Sequence, residues 1–289
     1  MLHRIGILQL TQYLDEAVQG FKTGLSEKNI AAEFLYYNAD GNEQELPALA
    51  RKLKEAAVEM IFACSTPAAL AAIQHAPQTP VIFTPVFDPV GTGLVNSLTQ
   101  PGGWATGAAG RVAAAEKINF IRRLLPDARS IGCLYHLHDA NAVLEVAGFR
   151  ALELPFSWQE IPFENPAALS LLPDLLPENI DALFLPIGRA AEDNFASIVY
   201  YTDSVNLPVI ASHPPNVAAG ALAALTANHF RLGITCAEKA AAILGGTPIG
   251  SISISQAENP DIILNRFSAT NLGIELPADL IKQAKEIID

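Results

Sequence analysis

The apolar positions of the first 84 residues follow two alternating patterns. Short continuous apolar runs, typical of buried strands, alternate with longer segments whose apolar residues recur every three or four positions, as in amphipathic helices. The predicted strands are 4–9, 32–37, 58–63 and 80–84, and the predicted helices are 15–28, 43–57 and 66–74. Strands that alternate with helices in this way predict a parallel sheet with helices on both faces.

The alternation breaks across residues 85–107 and then resumes with a second set of elements. The predicted strands of this set are 130–135, 181–185 and 208–211, the predicted helices are 113–125, 140–147, 166–176, 192–202 and 230–244, and a tail follows with two short strands and a final helix over 278–288. The sequence therefore predicts an α/β fold of two doubly wound parallel-sheet lobes in tandem, with a seam near residues 108–112 and a ligand cleft between the lobes.

Composition and charge narrow the classes of function. The chain has 289 residues, of which 50% are hydrophobic and 17% charged, and this balance excludes a disordered protein. The net charge of −12 disfavours nucleic acids and anionic membrane surfaces, which basic patches usually bind. A small ligand stays open, because one local cationic group can outweigh the overall field. No window reaches the roughly 18 consecutive apolar residues of a membrane span.

The beginning of the chain and its cysteines add little. His3 and Arg4 lead directly into the first predicted strand, without the apolar stretch of a signal peptide. Two locations stay open: an extracytoplasmic protein whose leader was removed, which we favour, or a cytoplasmic protein.

The three cysteines are Cys64, Cys133 and Cys236. Because they are far apart and form no CxxC motif, we predict neither a zinc site nor a disulfide framework, and we interpret them as small buried hydrophobes.

Candidate ligand contacts in the first lobe lie where its predicted strands end, because ligands of such sheets bind outside the carboxyl ends of the strands. Ser65 and Thr66 begin a helix, and the free N–H groups there suit a carboxylate or phosphate. Plain helix capping is the alternative. Phe87 and Asp88 follow the fourth strand and could hold an apolar group and an amine. A turn is the alternative for Asp88, although this long apolar segment is unusual for a solvated loop.

The second lobe offers a similar set of residues after its strands. The candidate ligand contacts are Tyr135, His138, Asn141, Gly188, Arg189, Ser212 and His213. Arg189 could hold a second ligand carboxylate in bidentate fashion, or it could be an exposed residue at a helix start. His136 and His138 have the spacing of two metal ligands, but a third is missing, so we predict no metal. No P-loop, no GxGxxG motif and no G-x-S-x-G elbow indicates a cofactor or a nucleophilic serine.

Several segments resemble one known family. Residues 81–107, VIFTPVFDPVGTGLVNSLTQPGGWATG, resemble the hallmark segment of the ABC-transporter substrate-binding proteins that include the tryptophan-binding (TrpX) type. Further similar segments are LDEAVQGFKTGL (14–25), STPAALAA (65–72), LLPDARSIGCLY (124–135), LGITCAEKAAAILGGTPIGSISI (232–254) and IILNRFSATNLGIELPADLIKQA (262–284). The order and spacing of these segments carry the resemblance across nearly the whole chain.

The resemblance implies a periplasmic-binding-protein type I fold, in which two lobes joined by a hinge trap a small organic ligand, such as an amino acid or a related carboxylate. It implies an N-terminal lobe of residues 1–110 with about 229–250, and a C-terminal lobe of 111–228 with about 251–289. The expected partners are the ligand and an ABC permease, the expected state is a monomer, and Gln12 joins the expected ligand contacts.

The chain also departs from the family pattern. Gly103-Trp104, His136 and Gly188-Arg189 stand where the family often has Asn, Asn and Asp-Asn, and the Gln9–Asp15 spacing is two residues short. Because these changes fall at expected ligand contacts, the resemblance does not carry an aromatic amino acid over to this chain.

Two alternative functions stay open beside a transport binding protein. One is a cytoplasmic ligand sensor with the same two lobes. The other is a racemase-like enzyme that uses two cysteines as acid and base, for which Cys64 lies at a suitable strand end. Neither Cys133 nor Cys236 supplies the equivalent second position, because one is inside a strand and the other inside a helix. We therefore predict a protein that is not an enzyme.

Overall fold

A computed structural model describes residues 2–289, which form two compact units. The first unit runs to Arg111 and includes Ala227–Asn259, and the second comprises Val112–Thr226 and Pro260–Asp289. The second unit takes up the chain again at Pro260, later than the estimate of about 251. The reason is local: the Thr106 hydroxyl donates to the Ile252 carbonyl, and Ile254 packs into the core of the first unit.

The first unit contains a parallel sheet of five strands in the order β2-β1-β3-β4-β5. Its elements up to the first crossing are β1 (His3–Gln9), α1 (Asp15–Glu27), β2 (Ala32–Asn38), α2 (Leu46–Glu55), β3 (Met60–Cys64), α3 (Thr66–His75), β4 (Val81–Val86) and β5 (Ala105–Ala109). The chain reverses its direction of winding between β1 and β3, so the switch point of this sheet lies between these two strands.

The second unit repeats this order of strands and extends it. Its elements before the next crossing are α4 (Ala114–Leu124), β6 (Ser130–His136), α5 (Ala140–Arg150), β7 (Ser157–Phe163), α6 (Leu172–Leu175), β8 (Ala182–Leu185), α7 (Arg189–Asp193), α8 (Phe195–Ser204), β9 (Val209–Ala211), α9 (Pro215–Ala218) and β10 (Ala223–Thr226). The sheet order β7-β6-β8-β9-β10 places its switch point between β6 and β8.

The remaining elements return to both units. They are α10 (His229–Leu244), which belongs to the first unit, and β11 (Asp261–Asn265), α11 (Arg266–Asn271), α12 (Ala278–Gln283) and β12 (Glu286–Ile288), which belong to the second. The β11 strand pairs antiparallel with β10, and β12 pairs parallel with β11. None of the helices in residues 2–289 is long and apolar enough to cross a bilayer.

Each sheet is covered on both faces, as the alternation of apolar runs and helices predicts. On β3, the Phe62 ring stacks on Phe21 of α1, with 4.1 Å between the ring centroids, while Ile61 and Ala63 join the core under α2 and α3. On β8, Phe184 packs against Phe149 of α5, while its neighbours pack on the opposite face. Side chains that alternate between faces explain why these strands are apolar throughout.

The end of the chain differs from its prediction. The expected helix over 278–288 ends at Gln283, and residues 286–288 form β12 instead. Residues 286–288 do not continue the helix because the Lys285 N–H donates to the Ile262 carbonyl of β11. This hydrogen bond begins the pairing of β12 with β11. The strands β5, β7 and β10 were also not predicted, since β5 is a small-residue segment and β7 mixes three polar residues with its apolar ones.

Two helices of the first unit cross so closely that their contact requires glycine. A Cβ atom on Gly20 of α1 would lie 2.0 Å from the Phe230 carbonyl oxygen of α10, and one on Gly233 of α10 would lie 2.1 Å from the Ala17 carbonyl oxygen of α1. These distances are far below van der Waals contact, so a methyl group at either position must push the helices apart.

We expect Gly20→Ala to lower the free energy of unfolding by about 1–3 kcal/mol or more, because overpacking outweighs the gain in helix propensity. Ser26→Ala on the exposed face of the same helix is the control and should change stability by less than about 0.5 kcal/mol. Urea unfolding measures both variants. A Gly20→Ala protein as stable as the wild type would show that the two helices do not pack this closely.

Candidate functional site

The carboxyl end of the first sheet places two polar segments side by side. Gln9, the last residue of β1, is level with Cys64, the last residue of β3. The loop after β1 and the start of α3 therefore meet at the switch point, where α/β sheets usually bind ligands. We call these residues, 9–15 with 36 and 65–66, the first edge.

Gln9 organises one side of the first edge. Its side chain is fully buried, and its amide nitrogen donates to the Asp15 carboxylate at 2.9 Å and to the Thr11 carbonyl at 2.6 Å. Its amide oxygen accepts a hydrogen bond from the Tyr36 hydroxyl at 2.8 Å. One buried amide thus fixes an exposed carboxylate and a phenol that is 44% exposed. Burial and the nearby Asp15 charge raise the pKa of Tyr36, which keeps this phenol protonated.

Ser65 and Thr66 form the other side of the first edge. Ser65 has φ of 107°, a conformation that residues with a side chain rarely adopt, and its hydroxyl accepts the Ala68 N–H at 3.3 Å as the N-cap of α3. The Thr66 N–H has no acceptor among the residues that the structure describes, and residue 67 is proline. Strained backbone of this kind concentrates at binding sites, and an open N–H at a helix start attracts anions.

The other predicted contacts of the first unit are placed differently. The Asp88 carboxylate folds back onto its own turn and accepts the Gly91 N–H at 2.8 Å, as the turn interpretation expects. Phe87 is half-buried in this segment, and Gln12 is exposed in a short 3-10 turn before α1. Gln12 therefore lies within the first edge, whereas Asp88 is occupied by its own loop.

The carboxyl end of the second sheet is closed by acidic side chains. Three consecutive backbone N–H groups after β8 each donate to a carboxylate: Ile187 to Glu145 at 2.9 Å, Gly188 to Glu192 at 3.1 Å and Arg189 to Asp139 at 3.1 Å. Asp139 also caps α5 after β6, so it bridges the switch point between β6 and β8. We call the residues that follow β6, β8 and β9, namely 137–141, 186–189 and 212–213, the second edge. Its three N–H groups after β8 already have anionic partners.

The predicted contacts on the second edge have protein partners as well. The Arg189 side chain is 86% exposed and lies 3.5 Å from the Asp193 carboxylate one helical turn away, a weak surface pair. Ser212 is buried between Lys117 and Glu145, at 2.7 and 2.6 Å. The His213 ring lies 3.8 Å from Glu192. These residues follow β8 and β9 as the sequence predicts.

The predicted contacts around β6 divide into exposed and buried residues. His138 and Asn141 are exposed near the N-terminus of α5, and the His138 ring meets His136 edge to face at 5.5 Å. No group of three or more His, Cys, Asp or Glu side chains within residues 2–289 could hold a metal ion. Tyr135 is buried, and its hydroxyl donates to Glu160 on β7 at 3.0 Å.

The three cysteines are buried in a way that disfavours acid–base chemistry. Burial raises the pKa of Cys236 to about 12, and it raises the pKa of Cys64 and Cys133 well above the ordinary thiol value. The nearby Asp15 charge adds to this rise at Cys64. Since the thiolate is the reactive form, all three sulfur atoms are held as inert thiols at neutral pH.

A comparison with protein families gives the identity at the level of the family. The family model described as ABC transporter substrate binding protein matches residues 5–288. The chain belongs to this family. The match confirms the resemblance carried by residues 81–107 and the other quoted segments.

Individual relatives of this substrate-binding protein span its whole length. A tyrosine-binding protein of Clostridioides difficile (strain R20291) is 29% identical over 292 residues, which cover 97% of this chain and 84% of the relative. The ligand-free, open structure of a substrate-binding protein with adhesive properties from Clostridium difficile has a TM-score of 0.88 at 26% identity, with 99% of each chain covered. A Streptococcus pneumoniae domain in complex with L-Trp, at 23% identity and a TM-score of 0.76 over the full length of both chains, shares the fold.

Sequence reasoning missed the acidic and amide groups that organise both edges. Tyr36, Glu145 and Glu192 were not predicted, and Gln9 and Asp15 were noted only for the short spacing between them. A signal existed for Gln9, since an amide that ends an apolar strand must be satisfied inside the fold. Glu145 had no local signal, because its partner Ile187 is 42 residues away, whereas Glu192 is only four residues from Gly188 and was overlooked.

Substitution can separate the two properties of Ser65, its side-chain cap of α3 and its strained backbone. Ser65→Ala keeps the strained backbone and loses the cap, so we expect it to lower the free energy of unfolding by about 1 kcal/mol. Ser65→Gly also loses the cap but relieves the strain, so it should stay within a few tenths of a kcal/mol of wild type. Urea unfolding of both variants tests this, and equal losses would contradict a strained Ser65.

Glu160 gives a pH-dependent prediction. Hydrogen bonds from Arg150 lower the pKa of Glu160, so its stabilising contribution is present above the ordinary glutamate value of about 4.3 and is lost as the pH falls through the lowered pKa. Glu160→Gln should therefore reduce stability at pH 7 and flatten the loss of stability at acid pH. Exposed Glu153→Gln is the control. If the free energy of unfolding of Glu160→Gln falls with pH in parallel with that of the wild type, Glu160 does not contribute to the loss of stability at acid pH.

Proposed function

We propose that this substrate-binding protein takes an α-amino acid at the first edge. The ligand carboxylate accepts the Thr66 N–H at the start of α3, and the ligand ammonium pairs with the Asp15 carboxylate. This arrangement replaces the pairing of the amine with Asp88, because the Asp88 carboxylate accepts from its own turn. The single observation that carries the proposal is the open Thr66 N–H beside the strained Ser65.

The charges of the first edge match an amino acid. A helix start favours an anion by its dipole and its free N–H, and a carboxylate held by a buried amide favours a cation. Asp15 is near enough to Cys64, the residue before Ser65, for its charge to affect that thiol. An α-amino acid carries one charge of each sign, and the two sides of the edge offer one partner for each.

We infer an aromatic side chain for the ligand. Tyr13 and Tyr36 expose 50% and 44% of their surfaces at the first edge, and aromatic rings pack well on such phenols. The tyrosine-binding relative supports this inference. We therefore choose L-tyrosine as the probe, although the sequence alone does not carry an aromatic ligand over.

The rest of the proposal follows the family. The protein presents its ligand to an ABC permease, works outside the cytoplasm, and acts as a monomer without catalysis. The inert thiols support the absence of racemase chemistry. On the second edge, His138, Asn141, Arg189 and His213 are the residues we propose for further ligand contacts.

Calorimetric titration with matched analogues tests the proposed ligand class. L-tyrosine should bind, whereas tyramine lacks the carboxylate and 3-(4-hydroxyphenyl)propionate lacks the ammonium, so each should bind about 10-fold or more weakly. L-tryptophan and L-phenylalanine report on the aromatic pocket, and L-leucine is the aliphatic control. If no amino acid in the panel binds, or if both analogues bind as tightly as L-tyrosine, the proposal is wrong.

Asp15→Asn tests the ammonium contact separately. The variant keeps the shape of the side chain and loses its charge, so L-tyrosine affinity should fall about 10- to 100-fold, the worth of a charge-assisted hydrogen bond. Affinity for the analogue without the ammonium should not fall. Asp40→Asn, an exposed position of the same unit with φ of 48° that asparagine tolerates, is the matched control. Equal losses for both variants would argue against Asp15 as the ammonium site.

A further inference from the structure

A buried ion pair underlies the loops of the second edge. The Lys117 side chain of α4 is 4% exposed and the Glu145 side chain of α5 is 3% exposed, and the ammonium group donates to Glu145 Oε1. It also donates to the Ser212 hydroxyl at 2.7 Å, while that hydroxyl donates to the same Glu145 oxygen at 2.6 Å. The ammonium group further lies 5.7 Å from the centroid of the Phe184 ring.

The second oxygen of Glu145 extends this cluster to another loop. Glu145 Oε2 accepts the Ile187 N–H at 2.9 Å, two residues after the end of β8, while Ser212 directly follows β9. One carboxylate therefore connects the loops after two neighbouring strands. These loops carry Arg189 and His213, which the sequence analysis predicts as ligand contacts.

Stability alone does not explain a buried pair at this place. Taking two charges out of water costs several kcal/mol for each ion, and apolar residues of similar volume often stabilise a fold equally well or better. Apolar residues would however leave the Ile187 N–H and the Ser212 hydroxyl without the acceptor that Glu145 supplies. The pair thus contributes the acceptor oxygens of Glu145, which apolar side chains do not have.

We propose that Glu145, paired with Lys117, is a positioning residue that fixes the loops after β8 and β9 and thereby sets ligand affinity. The effect on affinity rests on the proposed function, whereas the effect on the loops does not. Glu145 acts through the Ile187 N–H and the Ser212 hydroxyl and does not itself touch the ligand.

Two double variants separate the effect of the acceptor oxygen of Glu145 from the effect of its charge. Lys117→Met/Glu145→Gln removes both charges and keeps an amide oxygen for Ile187, whereas Lys117→Met/Glu145→Leu removes the acceptor as well. Arg123→Met/Asp279→Asn removes an exposed ion pair that involves the same helix α4 and serves as the control. If the leucine variant does not fold, Lys117→Met/Glu145→Met, with a more flexible apolar side chain, takes its place.

The first readout is amide hydrogen exchange at Ile187 in the ligand-free protein, followed by NMR. The variant without the acceptor should exchange about 10-fold faster than wild type, while the glutamine variant and the control should stay near wild type. Equal exchange rates in the leucine and glutamine variants, both folded, would overturn the positioning role. This readout needs no ligand, so it stands even if the proposed function fails.

The second readout is the dissociation constant of L-tyrosine for the same proteins. It should rise about 10-fold in the variant without the acceptor and recover in the glutamine variant, with all proteins compared at a temperature at which they are fully folded. Faster exchange at Ile187 with unchanged affinity would overturn the link to binding. If the wild type binds no amino acid, the proposed function and the link between Glu145 and affinity are both wrong. The exchange rate at Ile187 would then still test whether Glu145 fixes the loop after β8.

Discussion

The structure depends on one constraint, that each backbone N–H leaving the carboxyl end of a buried parallel sheet needs an acceptor. In the second unit, carboxylates of Glu145, Glu192 and Asp139 supply these acceptors within the chain. In the first unit, Ser65 is held in a strained conformation and the N–H of the next residue stays open. The second sheet thus meets this requirement with its own side chains, whereas at the first sheet we propose that a ligand supplies the missing acceptor.

This contrast arises on a shared topology. The five strands of the first sheet have the same order as five of the seven strands of the second, with the switch point between β1 and β3 in one and between β6 and β8 in the other. The units show no obvious repeat in sequence, so the order of strands is preserved while the residues at the switch points differ. Gln9 and Asp15 build a charged edge in one unit, whereas Asp139 bridges its own loop to Arg189 in the other. The two edges therefore differ in their charged groups, although the fold places them at equivalent ends of the two sheets.

Sequence patterns predicted what depends on neighbours along the chain. Apolar runs and helical spacing located most strands and helices, and the Ser65-Thr66 cap signal located one side of the first edge. The strand β12 was not predicted, because its helical pattern is overridden by pairing with β11. The Gln9–Tyr36 contact was missed for the same reason, since the two residues meet only when β1 and β2 pair. The position of Arg189 after β8 was predicted, but the direction of its side chain was not, because the sequence pattern carries no information about it.

The central claim is that the ligand carboxylate binds at the Thr66 N–H of the first edge. Titration of ¹⁵N-labelled protein with L-tyrosine, followed by NMR at assigned amides, tests it most directly. The account predicts a large downfield shift of the Thr66 amide proton, as expected for a new charge-assisted hydrogen bond, and smaller changes at Ile187, Gly188 and Arg189, whose acceptors are already in place. A stationary Thr66 signal at saturation, with large shifts at those three amides, would contradict it.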